Sequence, residues 1–585
     1  MKILSLHCDY INFKPVKPAL KGAVLEKAEE KQIQVKEPLV LFTAIEKQDE
    51  SNKNILADYL KNILDLKDKV KADNIVLYPY AHLSSNLSAP ETAIEVLKQA
   101  EKELEKDKKF KVSRAPFGYY KEFELKCKGH PLAELSREII SESDIGKSTS
   151  KKGKTEVFVS QEEVEQLAKK LSKSHMQTIR GENNLKSNVE LGKELDLYTV
   201  SEVVGPGLPL FTPKGATIKR VIERFAIDEE IKRGYEHTST PIMAKADLYK
   251  ISGHWQHYKD SMFVLNINGE DYALRPMTCP FQFVLYKRKS RSYKDLPKKY
   301  AEIATLYRQE QSGELRGLTR LWQFTLSDAH IICTPEQLEA QFAEVMDLVN
   351  YTIKSLGIKD IWYRFSKWDP KDKKKYIDNP EAWEKSQATM KKILDKLKIR
   401  YKEADGEAAF YGPKLDLQYE DIYGKEDTLI TIQIDFALPE RYDMTYLDKD
   451  GVEKRPMIIH RSSIGATERT MAYLLEKTQG KLPTWLSPVQ ARVISFTDRN
   501  IKACENLVKQ LQEQGIRVDS DFKDETVNNK VRNAEMLHIP YLIVIGDKEE
   551  QNKTLAVRAR GKKPDFGVKL EKFISDIKRE IDGRK

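Results

Sequence analysis

The sequence predicts a multidomain protein of mixed α/β and α+β construction, and three observations predict it. The chain has 585 residues, about twice the length at which one hydrophobic core stops growing, roughly 250–300 residues. Near both ends, short apolar runs of strand length alternate with helix-period stretches, the pattern of α/β units. Between them a long region mixes strand runs with loops marked by Gly and Pro. A composition of 40% hydrophobic and 32% charged residues is that of a globular chain and excludes a disordered chain, a collagen-like fibre and a membrane bundle. The formal charge of +9, from 99 basic and 90 acidic residues, permits a nucleic-acid partner without demanding one.

In chain order, residues 1–145 form the first α/β unit. KILSL, PLVLFTAI and NIVLYPY are its strands. Ile55, Tyr59, Ile63 and Leu66 fall on one side of a helix, and a second helix starts at Pro90 and carries Ile94, Leu97 and Leu104. Proline suits the first turn because its missing N–H would be unpaired there anyway. Residues 146–185 are a linker and helix. GKSTSKKGKT has four lysines and no acid, so it reads as solvated chain. Ser160 and Glu163 then form a capping box ahead of Val164, Leu167 and Leu171. Residues 186–480 are the long middle region, whose charged stretch KWDPKDKKKYIDNPEAWEKSQATMKKILDKLKIRY reads as a surface helical excursion. In residues 481–585, ARVISF, IRVDSDF and IPYLIVIG are strands separated by helices around Ile501–Leu511 and Val527–Leu537, which predicts a mostly parallel sheet. That region carries 21 basic and 16 acidic side chains, a net of +5. Five scattered cysteines make no disulfide framework. With no signal peptide and no apolar run of roughly 18 residues, a cytoplasmic protein with no membrane association is expected.

The chemistry lies in the middle region. In TLYRQEQSGELRGLTRLWQF (305–324), Arg308 and Glu310 end a strand-like run and Arg320 begins the return. Arginines placed this way suit phosphate, because a guanidinium makes bidentate, charge-assisted hydrogen bonds. In RSSIGATERTMAYLLEK (461–477), Gly465 precedes a helix with Arg469 in its first turn. Either segment alone is more often a surface hairpin or a glycine-bounded amphipathic helix.

Together and in this order the two segments resemble motifs 2 and 3 of class II aminoacyl-tRNA synthetases. ERFAIDEEIKRGYEHTSTPIM (223–243) resembles motif 1, the helix and strand of the dimer interface. SGHWQHYKDSMF, RPMTCP, SDAH, FYGPK, QIDFALPERY and IHRSSIGATER run in the order found in the threonyl-tRNA synthetase family. The resemblance covers 186–585. It implies a core built on an antiparallel sheet, ATP-dependent activation of L-threonine with Mg2+, transfer to tRNA(Thr), and a homodimer. It places Arg308 on the α-phosphate of ATP, Arg469 on the triphosphate tail, and Glu310, Arg320 and Gln433 about the nucleotide. It makes Cys279, His330 and His460 the ligands of one catalytic zinc, with Asp328 and Tyr411 on the substrate ammonium. The chemistry agrees with three ligands, which leave a position open on the metal. A metal that takes both the amino group and the hydroxyl of threonine excludes valine, which a hydrophobic pocket rejects by only about a hundredfold. Phe281 and Gln282, where many members have Gly-His, and Leu326, where glutamine is common, depart from the family pattern. Neither departure is expected to touch a zinc ligand.

The last region resembles the anticodon-binding domain of the same subclass. That places base reading on Glu549 and Arg558, with Lys530 and Arg560 near phosphate. The first region resembles the archaeal type of proofreading domain, which has the D-aminoacyl-tRNA deacylase fold, through KILSLHCDY, YPYAHLSS and APFGYYKEFELKCKGHPLAELSR. It implies hydrolysis of seryl-tRNA(Thr), with His82, Tyr120, Lys121 and Glu134 around the seryl ester. Such a site is physically required, since a missing methyl is worth only about 10–200-fold in discrimination. Without the resemblance, Lys121 reads as one exposed lysine among many and Glu134 as a helix-start acid. The alternatives are a deacylase fused to a degenerate synthetase and a synthetase-derived RNA-binding regulator without catalysis. Neither would need to retain Arg308, Arg469 and the three zinc candidates.

Overall fold

The computed structural model describes residues 1–20, 25, 31–52, 54–84, 86–130, 133–139, 184–373 and 375–585. The lysine-rich segment and the helix expected after Ser160 lie outside them. The chain forms two compact units, divided between Val157 and Phe158.

The first unit is built on β1 (Lys2–Pro18), far longer than its opening KILSL suggests. Its first half pairs with β3 (Pro38–Ala44) and β7 (Glu134–Glu138), its second half with β2 (Ile33–Lys36) and β6 (Tyr119–Cys127). Strands β3, β4 (Asn74–Pro79) and β5 (Lys111–Arg114) run parallel, joined by α1 (Ile55–Val70) and α2 (Pro90–Leu104). Helix α1 buries Ile55, Tyr59, Ile63 and Leu66, the stripe its 3.6-residue period dictates. Helix α2 is rotated slightly from expectation. Ala93, Val96, Leu97, Ala100 and Leu104 face the core and Ile94 is half-buried, because the two alanines let the helix backbone approach the sheet. Glu134 opens strand β7 opposite Leu6 and does not start a helix.

In the second unit, Thr212 caps α3 (Pro213–Lys232) by accepting from the Gly215 N–H. Then come β8 (Glu236–His237), β9 (Met243–Lys245), α4 (His254–Tyr258), β10 (Val264–Ile267), β11 (Glu270–Leu274) and α5 (Cys279–Lys287). Strands β12 (Lys298–Tyr307) and β13 (Gln323–Cys333) precede α6 (Leu338–Leu356) and β14 (Ile361–Ser366). Helix α7 (Pro380–Lys396) is followed by β15 (Tyr401–Ala404), β16 (Lys414–Glu420), β17 (Glu426–Asp435), β18 (Met457–Ala466) and α8 (Thr467–Thr478). Eight strands make one sheet in the order β8-β12-β13-β18-β17-β16-β14-β15. It is antiparallel except at its two edges. One face packs Ala329, Ile331, Ile432, Ile434 and Ile459 against α3, α6 and α8. Period-2 alternation sends Asp328, His330, Gln433, Asp435, His460 and Ser462 to the other face. Helix α7 forms within the charged stretch, but it is no surface excursion. Trp383 is fully buried and stacks on Trp368 with centroids 5.3 Å apart.

The carboxyl-terminal part carries β19 (Ala491–Ser495), α9 (Ile501–Glu513), β20 (Val518–Asp521), α10 (Val527–Met536), β21 (Tyr541–Ile545), α11 (Asp547–Asn552), β22 (Leu555–Ala559), β23 (Asp565–Val568) and α12 (Leu570–Asp582). Its sheet, ordered β20-β19-β21-β22-β23, is mixed where mostly parallel pairing was expected. Helices α9 and α10 carry parallel crossovers. The six-residue α11 is too short for one, since a crossover needs about a dozen residues, and β21, β22 and β23 therefore run antiparallel. No described helix is long and apolar enough to cross a membrane.

Candidate active site

On the polar face of the large sheet, His330 of β13 stands directly opposite His460 of β18, which in turn stands opposite Gln433 of β17. The two imidazoles lie edge to face, centroids 4.5 Å apart. Cys279 arrives from outside the sheet, as the first residue of α5. One ligand atom from each of the three falls within 4.8 Å of the others, and all three residues are buried. Their far sides are already fixed. Gln282 Oε1 is 2.6 Å from His330 Nδ1, and Asp435 Oδ2 is 2.8 Å from His460 Nε2. Asp435 is held in turn by the Ala437 and Leu438 N–H groups, at 2.8 and 2.9 Å. Each ring therefore presents its other nitrogen to the group, the arrangement that orients a metal-binding histidine. Burial, reinforced by the charges of Asp328 and Asp435, pushes the Cys279 thiol well above its ordinary range. A cation among these donors reverses that balance, because a coordinating thiol is deprotonated. A thiol and two imidazoles suit a borderline-soft divalent metal.

Gln282 corrects an expectation from the sequence, since this departure does touch a proposed ligand. It reaches His330 on one side and donates to Thr238 Oγ1 at 2.8 Å on the other. Phe281 joins a separate small core with Tyr249 and Met262, and Leu326 lines the neighbouring cavity.

That cavity, of about 610 Å³, adjoins the triad and counts His460 among its walls. Arg308, Glu310, Arg320, Asp328, Tyr411, Gln433 and Arg469 all line it. Arg308 lies over the Phe324 ring at 5.1 Å and reaches Pro276 O (3.5 Å) and Met277 Sδ (3.2 Å). No carboxylate among the described residues pairs with it. Arg469 donates to the carbonyls of Thr319 (3.1 Å) and Thr428 (2.7 Å), with Asp427 at 3.5 Å. Gly465, ahead of its helix, has φ +71° and lies so close to Leu429 O that an added Cβ would sit 2.0 Å from it. Only glycine fits that approach. Arg320 reaches Glu314 at 3.5 Å. Burial pushes the Asp328 carboxyl up to about 6. Tyr411 stacks on His460 with centroids 4.9 Å apart, and its hydroxyl bonds Gln433 Oε1 at 2.5 Å.

Two wall residues received no role from sequence reasoning. His254 is fully buried. Its Nδ1 bonds Ser252 Oγ at 2.7 Å, its Nε2 has no partner, and burial lowers its pKa to about 3. It is a neutral imidazole with one nitrogen unused, and its place in SGHWQHYKDSMF was the available signal. Arg461, 2% exposed, donates to Glu230 Oε1 of α3 at 2.6 Å and lies over the Tyr235 ring at 4.1 Å. It carries the helix of motif 1 into the wall of the site. Nothing in the local sequence marks it.

In the first unit, His82 and Lys121 meet one aromatic cluster. The His82 ring contacts Tyr80 edge to face at 5.4 Å, and Lys121 Nζ sits 5.1 Å over Tyr78 while donating to Pro116 O and Tyr119 O. Lys121 is thus half-buried and anchored. Tyr120, 57% exposed, instead takes Lys17 over its ring. Glu134 stands beside Cys127, whose thiol is pushed up first by burial and then by that carboxylate.

The carboxyl-terminal part separates the four expected RNA contacts. The Glu549 carboxylate accepts from the Gly546 N–H and caps its own helix. Arg558 pairs with Glu535 at 2.7 Å at the surface. Lys530 and Arg560 are both tied to backbone carbonyls. Lys530 is 2% exposed and donates to Ser495 O and Oγ. Arg560 donates to His538 O and Leu482 O, both at 2.7 Å. Helix packing and the end of the interdomain segment absorb charges that the sequence displays as free.

Family models match three segments of the chain. Residues 1–139 match the archaea-specific editing domain of threonyl-tRNA synthetase. Residues 262–478 match the class II core domain of the G, H, P, S and T synthetases, and 490–580 an anticodon binding domain. A threonine–tRNA ligase of Clostridium botulinum (strain Eklund 17B / Type B) is 55% identical over 396 residues, 67% of this chain and 62% of that protein. One from Clostridium perfringens (strain SM101 / Type A) is 54% identical over 399 residues, 68% of this chain and 62% of that protein. The chain thus spans about 62% of the length of these relatives. The crystal structure of the RNA binding domain of threonyl-tRNA synthetase from Cryptosporidium parvum Iowa II superimposes with a TM-score of 0.64. It is 34% identical and covers 67% of this chain and 97% of that one. By its three matched domains and this likeness, the chain belongs to the threonyl-tRNA synthetase family of class II aminoacyl-tRNA synthetases, with the archaeal type of editing domain.

Proposed function

We propose that this protein joins L-threonine to tRNA(Thr) through a threonyl-adenylate and hydrolyses seryl-tRNA(Thr) formed in error. The observation that carries the reading is the buried Cys279–His330–His460 group beside a cavity holding the unpaired Arg308. In the forward reaction, a carboxylate oxygen of threonine attacks the α-phosphorus of ATP and pyrophosphate leaves. Arg308 and Arg469, with Glu310, Arg320 and Gln433 around them, orient the nucleotide and stabilise the charge that develops on phosphate. Mg2+ accompanies the ATP. Such positioning and electrostatics suffice, because the carboxylate needs no base to make it a nucleophile. Asp328 and Tyr411 hold the substrate amino group. Cys279, His330 and His460 would hold zinc, which supplies a Lewis-acid position for the amino and hydroxyl groups of threonine. Pyrophosphate exchange with threonine, serine and valine tests this reading. Exchange with threonine is expected to exceed that with serine, and valine should give almost none, since it lacks the hydroxyl. Equal exchange with valine would overturn the assignment.

Proofreading is assigned to the first unit, where Lys121 orients water or stabilises the oxyanion near His82. Tyr120 and Glu134 complete the proposed group. Lys121→Met is expected to leave threonylation intact while seryl-tRNA accumulates. Clearance of seryl-tRNA at the full rate in that variant would refute the role.

The active form is proposed to be a homodimer through the surface of motif 1. Ile242, Val264, Leu265, Ile267 and Val284 are all at least 38% exposed around the small sheet of β9–β11, apolar surface that a partner subunit can cover. Sedimentation equilibrium is expected to return twice the 67.5 kDa of one chain, and a monomer would reject the interface.

A further inference from the structure

A second cavity, of about 540 Å³, opens between α3 and the carboxyl-terminal part, away from the residues assigned to activation. Four arginines line it, Arg220 and Arg224 from α3 and Arg517 and Arg584 from the carboxyl-terminal side, against two aspartates, Asp228 and Asp582. Two of the four cations are already answered. Arg224 pairs with Asp228 at 3.1 Å on the exposed side of α3. Arg584 reaches Glu229 at 3.0 Å while its guanidinium covers the Phe225 and Trp485 rings at 4.4 and 5.4 Å. The other two are not. Arg220 has no ion-pair partner among the described residues. Arg517 gives Nε and Nη2 to the carbonyls of Ser487 (3.0 Å) and Trp485 (2.7 Å), which leaves Nη1 for a ligand. Burial with no carboxylate to offset it lowers the Arg517 pKa to about 10.

Trp485, a wall of this cavity, is 3% exposed, and its indole N–H is buried with no acceptor. Its ring packs under the Arg584 guanidinium at 5.4 Å, so the indole reports on the arginine-lined wall. Asp582 has no ion-pair partner among the described residues either, so two guanidinium groups, Arg220 and Arg517, stand against one carboxylate and the charge left over is positive. Guanidinium forks match the oxygens of phosphate in bidentate pairs. The volume is that of a small-molecule site, roughly 300–1,000 Å³, and the aromatic floor suits more than a bare ion.

We propose that this cavity binds a phosphate ester, held by Arg220 and Arg517 beside the aromatic wall of Trp485. The phosphate can belong to a free nucleotide-sized molecule or to an RNA backbone, and the chemistry of recognition is the same. The proposal does not depend on the activity assigned above, because none of these residues serves the activation site.

The test follows the Trp485 indole resonance in full-length protein labelled with 15N at tryptophan indoles, with Trp485→Phe identifying the signal. Inorganic pyrophosphate, adenosine monophosphate and a tRNA transcript are titrated in turn, against chloride at equal ionic strength. The signal is expected to shift with at least one phosphate probe and not with chloride. Arg220→Gln, an exposed change that leaves the fold alone, should weaken that binding about tenfold, the usual worth of one charge-assisted contact. Arg308→Ala should leave the shift unchanged, which separates this cavity from the ATP site. A shift with pyrophosphate or adenosine monophosphate assigns a free ligand, and a shift with tRNA alone assigns an RNA phosphate. Absence of any shift with all three probes, or a shift of equal affinity in Arg220→Gln, overturns the proposal.

Discussion

Cys279→Ala is expected to abolish both bound zinc and threonine-dependent pyrophosphate exchange, the latter by more than roughly 10³-fold, since the metal loses one of only three protein ligands. Metal analysis of the purified protein should find about one zinc per chain before the substitution and none after it. Retention of zinc in the variant would sink the ligand assignment even if activity fell. A graded companion comes from the residue that departs from the family pattern. Gln282 fixes the His330 ring from behind at 2.6 Å, so Gln282→Ala should weaken metal binding by about 10–100-fold, the usual effect of removing an orienting partner. Loss of activity there should be reversed by excess zinc. Failure of rescue would mean that Gln282 acts through something other than the metal.

Glu230→Ala is expected to cost about 3–5 kcal/mol of stability, the penalty for leaving a buried charge without its partner. Glu230 is fully buried, and Arg461 beside it is 2% exposed. Besides the 2.6 Å contact to Arg461, the Glu230 carboxylate accepts from Ser463 Oγ at 2.7 Å. Burial alone would raise the Glu230 pKa, but Arg461, His237 and Ser463 outweigh it and hold the group below its ordinary 4.5. A carboxylate with a depressed pKa stabilises the fold above its unfolded value and loses that contribution as pH falls through its folded value. The pair should therefore contribute fully at neutral pH and fail only below about pH 4.5. Denaturant unfolding of wild type and Glu230→Ala should differ at pH 7 and converge on acidification. The double variant Glu230→Leu, Arg461→Met should recover most of the loss, because an apolar pair removes the unmatched charge. An undiminished loss in the double variant would assign the cost to packing.

Legibility was uneven, and particular residues show why. The stripe of Ile55, Tyr59, Ile63 and Leu66 was readable because helical period is a local property. The alternation in SDAHIIC and TIQID that sends Asp328, His330 and Gln433 to one face became visible only once the strands were in register. Charge misled where burial decides its meaning. Lys530 and Arg560 looked like solvent-facing cations and serve as donors to backbone carbonyls. The stretch around Trp383 looked like a surface helix because its charges outnumber the few apolar residues that hold it to the core.

Motif identity and periodicity survive in one dimension, and they carry the family, the order of its matched segments and the identity of the residues with chemical potential. Only the tertiary structure decided which of those residues meet. Cys279, His330 and His460 are separated by 51 and 130 positions, and strand register places two of them face to face while the start of a helix supplies the third. Gln282 behind His330, Glu230 beneath Arg461 and the unpaired Trp485 indole are likewise products of packing. Such contacts depend on long-range topology and on exclusion of water, and neither is encoded in the spacing of any one segment.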